Sequence, residues 1–233
     1  IAISYHEAIE YFPNDKTANK KHNIRREVRE PLKDGAFEYL KLKTSLPVLF
    51  ILGGSQGAKI INETIISALP ELVEKYQVIH QTGTKNFEEV SNLGQIVLKE
   101  SMNKPNYYAY PYLNKLAIRM CAGVANLVIS RAGANSIAEI ACWGLPSIIV
   151  PITNSNGDHQ RNNAFNYART GACSVVEEAN LTPHVLIEEI ERILGDEKLA
   201  AKMREATKQF VFPEAEMHVA KEIINIALTH ENS

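Results

Sequence analysis

The chain has 233 residues, 45% of them hydrophobic, and 25 Lys and Arg against 27 Asp and Glu give a formal net charge of -2. That length holds one α/β domain with additions around an ordinary core, and the lack of a basic excess argues against nucleic acid as a partner. No apolar run approaches the roughly 20 residues that span a bilayer, no signal peptide is visible, and three widely spaced cysteines, Cys121, Cys142 and Cys173, fit reduced thiols of a cytoplasmic protein better than disulfides.

Residues 1–11 read as a strand end and a short helix, followed by a polar, lysine-rich connector to about residue 23. The densest basic stretch, residues 20–29, reads as a solvated linker or helix face. The start at Ile1 without a Met suggests a truncated or processed beginning. From residue 46 the pattern becomes regular. Strands are expected at 47–52, 77–81, 95–99, 125–130, 147–151 and 173–176. Helices are expected at 58–68, near Phe87, at 113–122, 136–143 and 159–170, and from Pro183 onward. Gly144 and Gly171 stand where helices should stop, and Thr182-Pro183 is a helix start. Strands alternating with helices predict a doubly wound, Rossmann-like parallel sheet of the α/β class.

Two glycine-bearing loops follow strands and open helices: Gly53-Gly54-Ser55-Gln56-Gly57 and Ser130-Arg131-Ala132-Gly133-Ala134-Asn135-Ser136. Ligands of open parallel sheets bind at the carboxyl ends of the strands. Helix amino ends there present unpaired N–H groups to phosphate. The first loop also reads as a tight turn that lets a helix pack close to its strand. Ser55 and Gln56, small or flexible polar residues at the turn, fit contacts to phosphate oxygens. In the second loop Ser136-Ile137-Ala138-Glu139 reads equally as a capping box or as an acid, Glu139, placed to accept hydrogen bonds from a ribose. A third polar segment, residues 151–163, places Asp158, His159 and Gln160 at a helix start, where neutral donors and acceptors suit a sugar. His159 has no second ligand at metal spacing, and no Asp-x-Asp pair is present, so no metal and no cofactor are expected.

Gly53-Gly54-Ser55-Gln56-Gly57-Ala58, His80-Gln81-Thr82-Gly83, Ser130-Arg131-Ala132-Gly133-Ala134 with Glu139, Gly144-Leu145-Pro146, and Asp158-His159-Gln160 with Asn163-Ala164 together resemble the MurG family. Its members transfer N-acetylglucosamine from UDP-N-acetylglucosamine to lipid I, giving lipid II of peptidoglycan synthesis at the inner face of the cell membrane. The motifs fall in family order across nearly all of the chain. The resemblance implies a GT-B fold of two Rossmann-like domains, with this chain as the carboxyl-terminal, donor-binding one. It divides the chain into a remnant of the acceptor domain and linker (1–23), the donor domain (24–212) and a carboxyl-terminal helix (213–233).

By position, the resemblance assigns Ser55 and Gln56 to the diphosphate and Glu139 to the ribose. Leu113 would read uracil through its backbone. Ala134, Asn135 and Ser136 would line the diphosphate, and His159 and Gln160 would hold the sugar hydroxyls. His22-Asn23-Ile24-Arg25-Arg26-Glu27 is similar to the family's interdomain motif, with Arg25 in place of its arginine, which would stabilise charge on the leaving diphosphate. The Gly and Pro of that motif are absent here. The family's acceptor cleft, proposed base and membrane-docking patch belong to its amino-terminal domain, which does not precede Ile1. Other readings on the same fold are the donor subunit of another lipid-acceptor glycosyltransferase, a UDP-N-acetylglucosamine 2-epimerase, and a non-catalytic sugar-nucleotide binding module.

Overall fold

A computed structural model describes residues 2–3, 18–19, 26–53, 58–153, 158–211, 220, 221, 224 and 228. Six parallel strands form the central sheet: β1 (Val48–Leu52), β2 (Gln77–Gln81), β3 (Tyr107–Tyr110), β4 (Leu127–Arg131), β5 (Ser147–Val150) and β6 (Cys173–Val175). Their order across the sheet is β3-β2-β1-β4-β5-β6. The α-helices around the sheet are α1 (Ala36–Tyr39), α2 (Lys59–Lys75), α3 (Phe87–Val97), α4 (Lys115–Val124), α5 (Ala134–Trp143), α6 (His159–Ala168), α7 (Pro183–Leu194) and α8 (Glu197–Thr207). Apart from this sheet, Ala2–Ile3, within the expected strand end, pairs in parallel with Ala18–Asn19, inside the stretch expected to be connector.

Alternate residues of the buried strands point to opposite faces. Val48, Phe50 and Leu52 of β1 join a core with α1, α4, α5 and α6, while Leu49 and Ile51 join one with α2, α3 and α7. A sheet covered on both sides explains why β1, β2 and β5 are buried along their whole length. Trp143 ends α5 stacked on Phe50 and donates its indole N–H to the Val28 carbonyl at 2.7 Å. Leu32 donates to the Arg119 carbonyl at 2.9 Å and Arg119 returns a bond to the Glu30 carbonyl at 2.7 Å, so residues 28–32 are bound along α4 and α5. The three cysteines are free thiols.

Most expected elements are present, and the differences have local causes. Residues 95–99 are not a strand: they lie at the end of α3 and just beyond it, and the edge strand is β3. The apolar run is helical because Val90, Gly94 and Leu98, four residues apart, make the buried face, while Ile96 is exposed. Gly94 is small because the Tyr107 ring of β3 lies against it; a Cβ there would sit 2.6 Å from a ring carbon. Helix α2 does not stop before Pro70 but runs through it to Lys75. Its buried residues, Ile61, Ile65, Leu69, Leu72 and Val73, continue past the proline, so packing outweighs the lost backbone hydrogen bond. Gly144 ends α5 with a left-handed backbone, φ 68°, and Thr182 caps α7 by accepting from the Val185 N–H, both as expected.

Candidate functional site at the carboxyl edge of the sheet

The strand order reverses direction between β1 and β4: α2 leads from β1 toward β2 on one face, and α5 leads from β4 toward β5 on the other. That point is the topological switch of a doubly wound sheet, where a crevice opens at the carboxyl edge. Leu52 of β1 is in register with Ser130 of β4 and with Gln81 of β2, so the strand ends are level. The ends of β1 and β4, with the helix starts that follow them, therefore flank one crevice.

The N-cap residues of α2 and α5 are Ala58 and Gly133, which carry no side chain able to cap a helix. Asn114, Thr182 and Asp196, in contrast, cap α4, α7 and α8. Both helices thus start at the carboxyl edge with first-turn N–H groups that their N-cap residues do not satisfy, and with the positive end of the helix dipole there. The capping-box reading of Ser136 and Glu139 is overturned, because α5 begins two residues before Ser136, which therefore occupies its first turn. Ala134, Asn135 and Ser136 are the first three residues of α5, the positions whose N–H groups lack helical partners. Glu139 follows in the next turn with only 9% of its surface exposed.

Gly53, the one residue of the first loop that is described, is closely packed. Its N–H donates to the Gln81 carbonyl at 3.0 Å, and a Cβ would stand 2.8 Å from that oxygen and 3.3 Å from the Ala58 nitrogen. The assigned Ser55 and Gln56, like Arg25, lie outside the described residues. Leu113 is buried after β3, and its N–H is donated to Gln81 Oε1 at 3.2 Å. Gln81 thus joins the first glycine loop through its carbonyl and the Leu113 backbone through its side chain. In the sequence Gln81 stands within the His80-Gln81-Thr82-Gly83 motif without an assigned role; its place as the last residue of β2 is what brings it to the site.

Helix α6 begins beside α5. Asn163 donates its side-chain amide to the Ala132 carbonyl at 3.1 Å, which ties the first turns of α6 to the second glycine loop. His159, the first residue of α6, is exposed, and Gln160 is half-buried with its Oε1 accepting the Ile152 N–H at 3.3 Å. Asp158 precedes them in a left-handed backbone, φ 54°, a conformation that is uncommon outside glycine. The structure therefore brings Ala134, Asn135, Ser136, Glu139, His159 and Gln160 to one side of the crevice, with Leu113 at the ends of β2 and β3.

Behind the first loop runs a buried polar relay. Asn62 of α2 donates its amide to the Thr82 carbonyl at 3.0 Å, which turns its oxygen toward His80 Nε2 at 3.0 Å. That nitrogen is therefore the protonated one, and the Tyr107 hydroxyl donates to Nδ1 at 3.1 Å. Burial pushes the His80 imidazole down to about 3, so it is neutral at physiological pH. Among the described residues no group of three His, Cys, Asp or Glu could hold a metal ion.

Residues 48–219 match the family described as Glycosyltransferase family 28 C-terminal domain. The chain belongs to that family. This family-28 domain is 36% identical over 187 residues to the UDP-N-acetylglucosamine--N-acetylmuramyl-(pentapeptide) pyrophosphoryl-undecaprenol N-acetylglucosamine transferase of Natranaerobius thermophilus, covering 79% of this chain and 50% of that protein. It is 33% identical over 236 residues to the transferase of the same name from Limosilactobacillus reuteri, covering 99% and 62%. The crystal structure of Acinetobacter baumannii MurG superposes with a TM-score of 0.68 at 26% identity, over 92% of this chain and 58% of that one. The family-28 domain thus spans between half and two thirds of the length of these relatives, and its sheet is that of a GT-B glycosyltransferase domain.

Proposed function

We propose that the chain is the donor-binding half of an inverting N-acetylglucosaminyltransferase that uses UDP-N-acetylglucosamine and lipid I to form lipid II. One observation carries the reading: α2 and α5, which follow the adjacent strands β1 and β4 at the switch point of the sheet, both start at N-cap residues with no capping side chain, Ala58 and Gly133, the place for a diphosphate. The diphosphate lies against Ala134, Asn135 and Ser136 and the amino end of α2, joined by Ser55 and Gln56. Glu139 accepts hydrogen bonds from the ribose hydroxyls. The Leu113 backbone reads uracil, and His159 and Gln160 hold the sugar hydroxyls. The names of the two relatives support the choice of sugar and acceptor.

In the reaction, the acceptor's muramyl 4-hydroxyl attacks the anomeric carbon from the face opposite UDP, and its proton passes to the base that the family resemblance places in the amino-terminal domain. The glycosidic C–O bond breaks, and its electron pair leaves with the diphosphate. No metal takes part in this mechanism. The negative charge builds on oxygens already facing fixed N–H dipoles, which require no reorganisation at the moment of reaction. Arg25 adds a cation to that leaving group. The domain division at residues 23 and 212 and attachment to the inner membrane face belong to the same reading; no helix among the described residues is long and apolar enough to cross a membrane. The 2-epimerase alternative shares the fold, and the family match favours the transferase.

Calorimetric titration of the chain with UDP-N-acetylglucosamine, UDP-glucose and UDP tests the proposal. Saturable binding that favours the N-acetyl sugar is the expected result. Binding of none of the three would reject a competent donor site in this chain.

A further inference from the structure

Arg131 ends β4 beside the amino end of α5, where a cation invites assignment to the diphosphate. Its contacts point elsewhere. Nη2 pairs with Glu178 Oε1 at 2.6 Å, with the two side chains only 15% and 18% exposed, and Nη1 donates to the Val150 carbonyl at 3.3 Å. The other carboxylate oxygen of Glu178 accepts both the N–H and the hydroxyl of Thr153, each at 3.0 Å. Between these anchors the Ile152 N–H is donated to Gln160 Oε1. The neighbouring Glu177 pairs with Arg161 Nε at 2.6 Å. Residues 150–153 and the first turn of α6 are thus held by polar contacts drawn from β4 and from the turn after β6. Burial alone would raise the Glu178 carboxyl, but the Thr153 N–H, Arg131 and the Thr153 hydroxyl outweigh it and hold the group below the ordinary carboxylate value, ionised at neutral pH.

We infer that Arg131 and Glu178 are a positioning pair for the sugar end of the donor cleft. They fix residues 150–153, and through Gln160 the start of α6, in the arrangement that reads the sugar. The inference rests on the proposed donor site and gives its sugar preference a physical origin. Arg131, committed to protein partners, leaves the diphosphate to helix N–H groups. Removing the carboxylate strands a largely buried guanidinium and frees two Thr153 donors, a change that local movement of the loop relieves most easily.

The test uses the full chain as wild type, Glu178→Ala and Glu178→Gln. The quantity read is the ratio of the Kd for UDP to that for UDP-N-acetylglucosamine. Glu178→Ala is expected to lower the ratio about tenfold, the equivalent of roughly 1.4 kcal/mol, with UDP affinity held within about twofold. Glu178→Gln keeps a carbonyl acceptor for Thr153 and is expected to recover part of the ratio. Equal weakening of both ligands, or an unchanged ratio, would overturn the pair's positioning role. A wild-type chain that does not prefer the sugar nucleotide would reject the donor-site reading itself. Deuterium exchange of the Thr153 amide in the ligand-free chain then still decides whether the clamp exists: slow in wild type and fast in Glu178→Ala supports it, and equal rates overturn it.

Discussion

At the scale of single residues, Glu139 carries the sharpest expectation. It is a mostly buried acid one turn beyond the uncapped start of α5, and Ser136, its supposed capping partner, lies within the helix. Glu139→Ala is expected to weaken UDP binding by about 1–3 kcal/mol, the cost of losing hydrogen bonds to a charged acceptor. Calorimetry measures it, and an unchanged Kd would remove Glu139 from the ribose site. His80 gives a prediction about pH. Its folded value, about 3, lies below the ordinary 6.5, so between those values the unfolded chain binds the proton that the folded chain refuses. Stability is therefore fully present above pH 6.5 and falls as the pH drops toward 3, by about 1.4 kcal/mol between pH 7.5 and 5.5. Urea unfolding at the two pH values checks this, and in His80→Gln the slope should flatten by that amount.

At the scale of elements, local chemistry and packing divide what the sequence could convey. The glycine loops, the Thr182 cap and the Gly144 stop were legible because each is a short-range device with its own residue type. The edge strand was not. Residues 95–99 hold a short apolar run, Ile96-Val97-Leu98, that suits a buried strand, and what decides for helix is Tyr107 packing on Gly94, a contact between separate elements. Tyr107-Tyr108-Ala109-Tyr110, the true strand, lacks alternation because its side chains are all half-buried at the edge. The extension of α2 through Pro70 was hidden for the same reason. The candidate site was legible by residue type at Glu139, His159 and Gln160. Its supports, Gln81, Arg131 and Glu178, were not, because their partners lie tens of residues away. Gly123 tests the element-scale account. A Cβ there would lie 2.0 Å from the Leu32 carbonyl oxygen, where the segment before α1 crosses α4. Backbone cannot rotate aside as a side chain can, so Gly123→Ala should destabilise by about 3 kcal/mol or more. Thermal unfolding measures it, and a loss under about 1 kcal/mol would mean that the crossing is looser than described.

At the scale of the molecule, the central claim is that the carboxyl edge of the sheet is a sugar-nucleotide site built from helix ends and polar or charged side chains rather than from a metal. Addition of EDTA should therefore leave the Kd for UDP-N-acetylglucosamine unchanged, and a metal requirement would reject that part of the account. The shape of the surface offers other places for a ligand. A hollow of about 600 Å³ lined by Cys142, Gly144, Arg204, Thr207, Lys208 and Val211 lies between α5 and α8, and one of about 430 Å³ lies at the amino edge of the sheet, lined by Lys33, Phe37, Pro47 and Asn126. Neither is formed by the strand ends and helix starts that suit a diphosphate.

Amide chemical-shift mapping of the isotope-labelled chain during titration with UDP-N-acetylglucosamine separates these places most directly. The account predicts saturating shifts at Leu113, Ala134, Asn135, Ser136, Glu139, His159 and Gln160, with UDP alone reproducing those at Leu113 and α5 but not those at the start of α6. Shifts confined to the hollow between α5 and α8, or to the amino edge of the sheet, would contradict it.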